Sequence, residues 1–219
     1  MTVKFNQYWR IDPEKTQEYE KYMLTKFIPG VNQLGIHTVA GWVVLVGGYS
    51  EIMCEGITTD LHLLETALMH PKYKELNNEL LNCTKSYKTK VLVSSGRKVA
   101  YSKDIKASTI KFTQSWDVVS KKSNGFTKYT MEDFYPCLEE LGIKVAGEWE
   151  VIIGDGPRII CEGRADEANK LLESLQSARF QKARKELKQF VENYESRILA
   201  FHIQKVDGYK SQRYQFVAG

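Results

Sequence analysis

The chain has 219 residues, of which 42% are hydrophobic and 26% charged, an ordinary globular balance with room for two cores of roughly 100 residues each. The net charge is only +4, and the basic residues alternate with acidic ones (Glu14, Lys15, Glu18, Glu20, Lys21), so no electrostatic footprint for nucleic acid is present. No apolar run reaches the roughly 18 residues of a membrane-spanning helix, and Met1 to Arg10 alternates polar and apolar instead of following a signal-peptide layout; the expectation is a cytoplasmic protein with neither a nucleic-acid nor a membrane partner.

The first element is a strand over Val3 to Ile11, with Val3, Phe5, Gln7 and Trp9 on one face. Helical spacing follows from about Asp12 to Leu34 (Tyr19, Tyr22, Met23, Phe27), with Asp12 as N-cap before Pro13. Pro29 is expected to kink or terminate this helix, and Gly35 to supply the turn. Two strands, Val39 to Val46 and Glu51 to Thr58, are joined by Gly47, Gly48, Tyr49 and Ser50, residues that suit a hairpin. A helix with Leu61, Leu64 and Leu68 on one stripe comes next, broken at Pro71, and a strand over Ser86 to Ser94 ends the series.

The whole series then recurs. At an offset of 107 residues, Lys4, Phe5, Gln7 and Trp9 fall on Lys111, Phe112, Gln114 and Trp116, and Lys21, Tyr22, Phe27 and Pro29 on Lys128, Tyr129, Phe134 and Pro136. Leu34-Gly35-Ile36 falls on Leu141-Gly142-Ile143. After a one-residue slip, Trp42 meets Trp149, and Ile52, Cys54, Glu55 and Gly56 meet Ile159, Cys161, Glu162 and Gly163. Later Tyr87 meets Tyr194. The second set of elements is a strand from Ile110 to Val118, a helix ending near Pro136, a hairpin over Val145 to Ile153 and Arg158 to Gly163, a helix through Leu171, Leu175, Ala183, Leu187 and Val191, and a strand over Tyr194 to Ile203. The order strand, helix, strand, strand, helix, strand is the split βαβ pattern of a ferredoxin-like unit. The predicted fold class is α+β: residues 1–95 form one ferredoxin-like repeat, 96–109 a linker, 110–205 a second repeat and 206–219 a C-terminal tail. Because strands such as Trp42 to Val46 are apolar on both faces, the two sheets are expected to cover each other.

Four cysteines (Cys54, Cys83, Cys137, Cys161) show no metal spacing, and the two inside strands read as small buried hydrophobes. The histidines (His37, His62, His70, His202) lack repeat equivalents, which argues against a symmetric metal site.

On the opening strand Lys4 to Trp9, the Pro29 and Leu34-Gly35-Ile36 helix end, the hairpin through Trp42 and Gly56, and His70-Pro71-Lys72-Tyr73, the chain resembles the dimeric α+β barrel superfamily, here as a fused version of the dimer. The resemblance implies two ferredoxin-like units packed sheet to sheet. It implies no one activity, since its members include cofactor-free monooxygenases, haem-degrading and haem-binding proteins, muconolactone isomerases and stress-responsive proteins. In haem-degrading members the axial histidine lies a turn beyond the aromatic residue matching Tyr73, where this chain has Asn77; two-unit members place it in the second unit, where no histidine stands between Lys144 and Ala200. Haem is therefore the lesser expectation, with His62 or His70 as its ligand in an unfamiliar geometry; otherwise His70 reads as a cap before Pro71.

The residues to weigh are Gln7 and Gln114, amides in apolar strand faces; Glu55 and Glu162, each in a Cys-Glu-Gly triplet; and the tryptophans Trp9, Trp42, Trp116 and Trp149. Each has two readings. The glutamines orient a ligand in a barrel cavity, or hydrogen-bond neighbouring elements. The glutamates act as bases with a raised pKa, or pair with Lys90 and Arg197. The tryptophans line a cavity for a flat apolar molecule, or fill the core. The functional expectation is a small apolar or aromatic ligand held in the barrel without metal or cofactor, as a binding protein or a cofactor-free oxygenase or isomerase. The alternative is a scaffold or protein-interaction module. The chain is expected to be a pseudo-two-fold monomer or a homo-oligomer. The tail, with Tyr209, Tyr214 and Phe216, either packs over a barrel end, joins a neighbouring chain or is disordered.

Overall fold

In the computed structural model, residues 2–47, 51–99, 106, 108–207 and 212–217 are described. The connector residues Gly48, Tyr49 and Ser50, half of the expected linker (100–105 and 107) and Tyr209 of the tail lie outside them. The chain divides into two compact units. The first draws on Met1–Val44, Gly48–Val93 and Phe201–Gly219, the second on Leu45–Gly47 and Ser94–Ala200.

In the first unit β1 (Val3–Ile11) leads through a 3₁₀ turn (Pro13–Lys15) capped by Asp12 into α1 (Thr16–Tyr22). A five-residue π-helical turn, Met23–Phe27, then joins α1 to α2 (Ile28–Gln33). Pro29, expected to kink or terminate the helix, does not terminate it. It sits in the first turn of α2, where no N–H is needed, and the widened turn just before it absorbs the misfit. Gly35, at φ +88°, makes the turn that follows. Next come β2 (His37–Val46), β3 (Ile52–Thr58), α3 (Leu61–Met69), α4 (Pro71–Leu81) and β4 (Thr84–Val99). The strand order is β2-β3-β1-β4, antiparallel throughout.

The second unit runs β5 (Ile110–Val118), a 3₁₀ turn, α5 (Ser123–Tyr129), a π-helical turn (Thr130–Phe134), α6 (Tyr135–Glu140), β6 (Lys144–Ile153), β7 (Ile159–Ala165), α7 (Ala168–Gln176), α8 (Ala178–Leu187) and β8 (Val191–Asp207). Its order is β6-β7-β5-β8. Both units share fine detail. Gln7 pairs with Cys54 as Gln114 does with Cys161. The first and last strands slip register past Tyr8 and past Ser115, and beside those slips the left-handed residues are Ser86 (φ 58°) and Asn193 (φ 53°), 107 apart. A Cβ on Gly56 or Gly163 would stand 2.8 or 2.6 Å from Ile36 or Ile143, which explains the glycine ending each Cys-Glu-Gly triplet.

The second helix is broken at Pro71, as expected, and the second unit has the same break at Ser177 with no proline: Ser177 and His70 both adopt extended backbone and cap the next helix, His70 Nδ1 accepting from Lys72 N–H at 3.0 Å and Ser177 Oγ from Phe180 N–H at 3.2 Å. Val191 belongs to β8, and Gly96 to Val99, assigned to the linker, continue β4. The tail forms a strand, β9 (Gln212–Phe216), on β8, and its Tyr214 and Phe216 pack on the first unit's core.

Each unit buries its core between sheet and helices. In the first, Trp9 meets Tyr19, Phe27 and Tyr87; in the second, Trp116 meets Phe126, Phe134 and Tyr194, all with centroids 6.1 to 6.4 Å apart. Such edge-on and stacked pairs each add about 0.5–1.5 kcal/mol beyond area burial.

Candidate functional site

The eight residues singled out in the sequence separate onto two sheet faces. Gln7 and Trp9 face the helices of the first unit, and Gln114 and Trp116 those of the second. Glu55 with Trp42, and Glu162 with Trp149, lie on the opposite faces.

The opposite-face set is internally satisfied. Glu55 accepts the Trp42 indole N–H at 3.0 Å and pairs with Lys4 Nζ at 2.5 Å. Glu162 accepts from Trp149 at 3.1 Å and pairs with Lys111 at 3.3 Å. The cations come from β1 and β5, a source the reading of Lys90 and Arg197 overlooked. Lys4 and Lys111, at 1% and 0% exposure, belong to strands that alternate cleanly on their helix side, where a buried lysine leaves no sequence signal. A buried ion pair with both carboxylate oxygens engaged reads as architecture.

The helix-side sets differ between units, and the difference follows from four substitutions between repeats. In the first unit the Trp9 indole N–H donates to the Tyr19 hydroxyl at 3.2 Å, and Gln7 Oε1 accepts from Tyr73 (3.3 Å) and Tyr87 (2.9 Å). Burial holds the Tyr73 phenol at a pKa pushed up to about 12, so it stays a donor. Gly41, beside Cys54, has no side chain, and Ile203 fills the space, 3.1 Å from where a Cβ would stand.

In the second unit Phe126 replaces Tyr19, Phe180 replaces Tyr73, Tyr135 replaces Ile28 and Glu148 replaces Gly41. Gln114 Oε1 still accepts from Tyr194, at 2.7 Å, but Gln114 Nε2 and Trp116 Nε1 have no hydrogen-bond partner among the described residues. Both residues are fully buried. One row across the sheet, beyond Cys161, Glu148 accepts from the Tyr135 hydroxyl and pairs with Arg97, whose guanidinium also lies 5.2 Å from the Phe126 ring centre and whose Nε is unpartnered. Burial first, then Cys161 and Glu148, raises the Tyr135 phenol well above its ordinary value. Burial likewise pushes the Cys161 thiol far up, with Glu148 and Glu162 adding to it. Cys161 is thus no nucleophile. The second unit therefore holds the less satisfied polar set, of Gln114, Trp116, Arg97, Glu148 and Tyr135. Sequence reasoning missed the last three because it looked for what the repeats share, and these residues are where they diverge.

No group of three or more metal-ligating side chains exists among the described residues. Of the histidines, His37 and His62 stand exposed, His62 beside Glu65, while His70 Nδ1 caps α4 and His202 stacks on Tyr19 and meets Phe216 edge-on. A groove of about 270 Å³ on the first unit is lined by residues including Glu18, Lys21, Lys26, Glu79 and Cys83, and Lys26 pairs with Glu79 there at 3.1 Å.

No family model matches the chain, and no curated protein matches it. Solved structures do. A candidate monooxygenase from Fusobacterium nucleatum is similar over 99% of this chain and 98% of its own, at a TM-score of 0.66 and 10% identity. An anthrone oxidase-like protein is similar over 91% of each chain (TM-score 0.58, 12% identity), and a haem-binding protein from Thermus thermophilus over 91% and 90% (TM-score 0.53, 6% identity). No helix of the described residues is long and apolar enough to cross a membrane. At such identities the likeness establishes the fold alone: the chain is α+β and shares the fold of these α+β barrel-type proteins.

Proposed function

We propose that this protein binds a small, flat, largely apolar molecule in the helix–sheet interior of its second unit, without metal. The observation that carries the reading is the pair of fully buried, unpartnered N–H donors of Gln114 and Trp116, on one strand face and walled by Phe126, Phe134 and Tyr194. Buried donors without acceptors are rare in a chain that needs only to fold. The difference between the repeats supports it: the Trp9 indole N–H has an acceptor in the Tyr19 hydroxyl, and the Trp116 indole N–H, with Phe126 in that place, has none among the described residues. The names of the fold neighbours, an oxidase-like protein among them, agree with small-molecule binding. An enzymatic form of the activity would use Glu148 as its acid–base group, held by Tyr135 and Arg97.

Native mass spectrometry after incubation with a panel of flat aromatic compounds tests the proposal. One adduct per folded chain, lost in Gln114→Leu, is expected. Adducts that survive Gln114→Leu together with Trp116→Phe would place binding elsewhere.

A second reading, a protein-interaction module, has one observation in its favour. Leu45 and Val46 at the end of β2, and their counterparts Ile152 and Ile153 at the end of β6, are 38 to 60% exposed. Self-association lost in Val46→Lys with Ile153→Lys, with no small-molecule adduct, would favour it.

A further inference from the structure

On its outer side, where α1 meets the end of α4, the first unit has a groove at the place where the second unit has an aromatic ring. The framework around that place is the same in both. The Asp12 N–H donates to Cys83 O at 3.0 Å, and the Val119 N–H to Phe190 O at 3.0 Å. Lys15 Nζ donates to Asn82 O at 2.7 Å, and Lys122 Nζ to Gln189 O at 2.6 Å. The Tyr22 hydroxyl donates to Leu76 O at 2.6 Å, and the Tyr129 hydroxyl to Ala183 O at 2.9 Å. Every one of these residues stands 107 positions from its counterpart.

Two side chains differ. In the second unit Phe190 stacks on Tyr129, ring centres 5.5 Å apart and planes at 21°, and lies over Gly125, where a Cβ would stand 2.8 Å from the ring. The first unit has Cys83 in the place of Phe190 and Glu18 in the place of Gly125. What remains beside Tyr22 and Cys83 is the groove of about 270 Å³. That is just under the roughly 300–1,000 Å³ of drug-sized ligand sites, so the occupant is a single ring with a short side chain.

The charges lining the groove come in both signs. Lys26 and Glu79 neutralise each other at 3.1 Å. Glu18 and Lys21, one turn apart on α1, have no ion-pair partner among the described residues. The Glu18 carboxylate lies beside the Cys83 thiol, which desolvation and then Glu18 raise above its ordinary pKa. A complementary occupant carries an ammonium group for Glu18 and a carboxylate for Lys21.

We infer that this groove binds a small aromatic zwitterion of the aromatic α-amino acid class. Its ring stacks on Tyr22, as Phe190 does on Tyr129, with the ammonium group on Glu18 and the carboxylate on Lys21. The site is separate from the second unit's interior and independent of what binds there.

Ligand-observed NMR titrations of the whole chain with L-phenylalanine, phenethylamine and 3-phenylpropionate test the inference, since the three share a ring and differ in which charges they carry. Phenylalanine is expected to bind once per chain, and each of the others about two- to fivefold more weakly, the effect of losing one exposed ion pair. Glu18→Gly with Cys83→Phe recreates the arrangement that the second unit already folds with, and should abolish phenylalanine binding. Glu18→Gln should weaken phenylalanine and phenethylamine about two- to fivefold and leave phenylpropionate unmoved; it decides if the double variant does not fold. Equal affinities for the three probes in the unaltered protein would overturn the zwitterion assignment. Failure of all three to bind, or phenylalanine binding that survives the double variant, would overturn the site.

Discussion

Trp116 packs edge-on against Phe126 in the orientation in which Trp9 packs against Tyr19, yet only the Trp9 indole N–H has an acceptor. One oxygen atom distinguishes the two contacts. Exchanging it between units gives opposite effects on stability. Tyr19→Phe orphans a buried donor and should cost about 1–2 kcal/mol, whereas Phe126→Tyr pairs one and should leave the ligand-free protein unchanged or up to about 1 kcal/mol more stable. Urea unfolding of both variants checks this, and equal destabilisation by the two would contradict it.

Read as structural, the opposite-face glutamates hold Lys4 and Lys111 in place. On that reading Glu55→Gln or Glu162→Gln, which removes a charge paired with a buried lysine, should cost about 3–5 kcal/mol. Replacing Lys111 and Glu162 together by Met and Leu should cost much less. Unchanged stability in Glu55→Gln and Glu162→Gln, together with lost ligand binding, would instead make these carboxylates functional.

Thiol reactivity follows burial. The Cys54 thiol is pushed up to about 12 by desolvation, with Glu55 adding to it, and burial raises the Cys161 thiol well above its ordinary value, with Glu148 and Glu162 adding to it. Neither should react with iodoacetamide at pH 8 in the folded chain, and both should react once it is unfolded. Modification of either at the rate of a free thiol would show that these interiors open readily.

Acid sensitivity has a named source. His202 is held between Tyr19 and Phe216 with Nε2 unpartnered, and desolvation lowers its pKa from 6.5 to about 4. Below pH 6.5 the unfolded chain binds a proton that the folded chain refuses. The contribution of neutral His202 is therefore complete above about 6.5, lost as pH falls toward 4, and level below that. The loss should amount to roughly 2–3 kcal/mol. His202→Phe should flatten this part of the stability profile; an unchanged profile would assign the titration to other groups.

Much of the fold was legible because hydrophobic period and turn chemistry are local. The alternation Val3-Phe5-Gln7-Trp9, the glycine turns and the 107-residue recurrence gave the element order, down to hairpins that lie within two residues of those observed. Other features depend on partners distant in sequence. Lys4, for example, is buried in a pair with Glu55, which stands diagonally across from it, opposite Asn6. The candidate site was least legible of all. Gln114 and Trp116 stood out in the sequence, but Glu148 is conspicuous only against Gly41, and Phe126 only against Tyr19, once the structure shows what each of those residues touches.

The most direct measurement is a ¹⁵N–¹H spectrum of the four tryptophan indoles, assigned by single Trp→Phe replacements, recorded with and without a flat aromatic compound that forms an adduct in the native mass spectrum. A shift confined to Trp116, with Trp9, Trp42 and Trp149 unmoved, is the predicted result. Movement of Trp42 or Trp149 instead would put the ligand on the opposite sheet face and contradict the assignment of the site to the helix-side interior of the second unit.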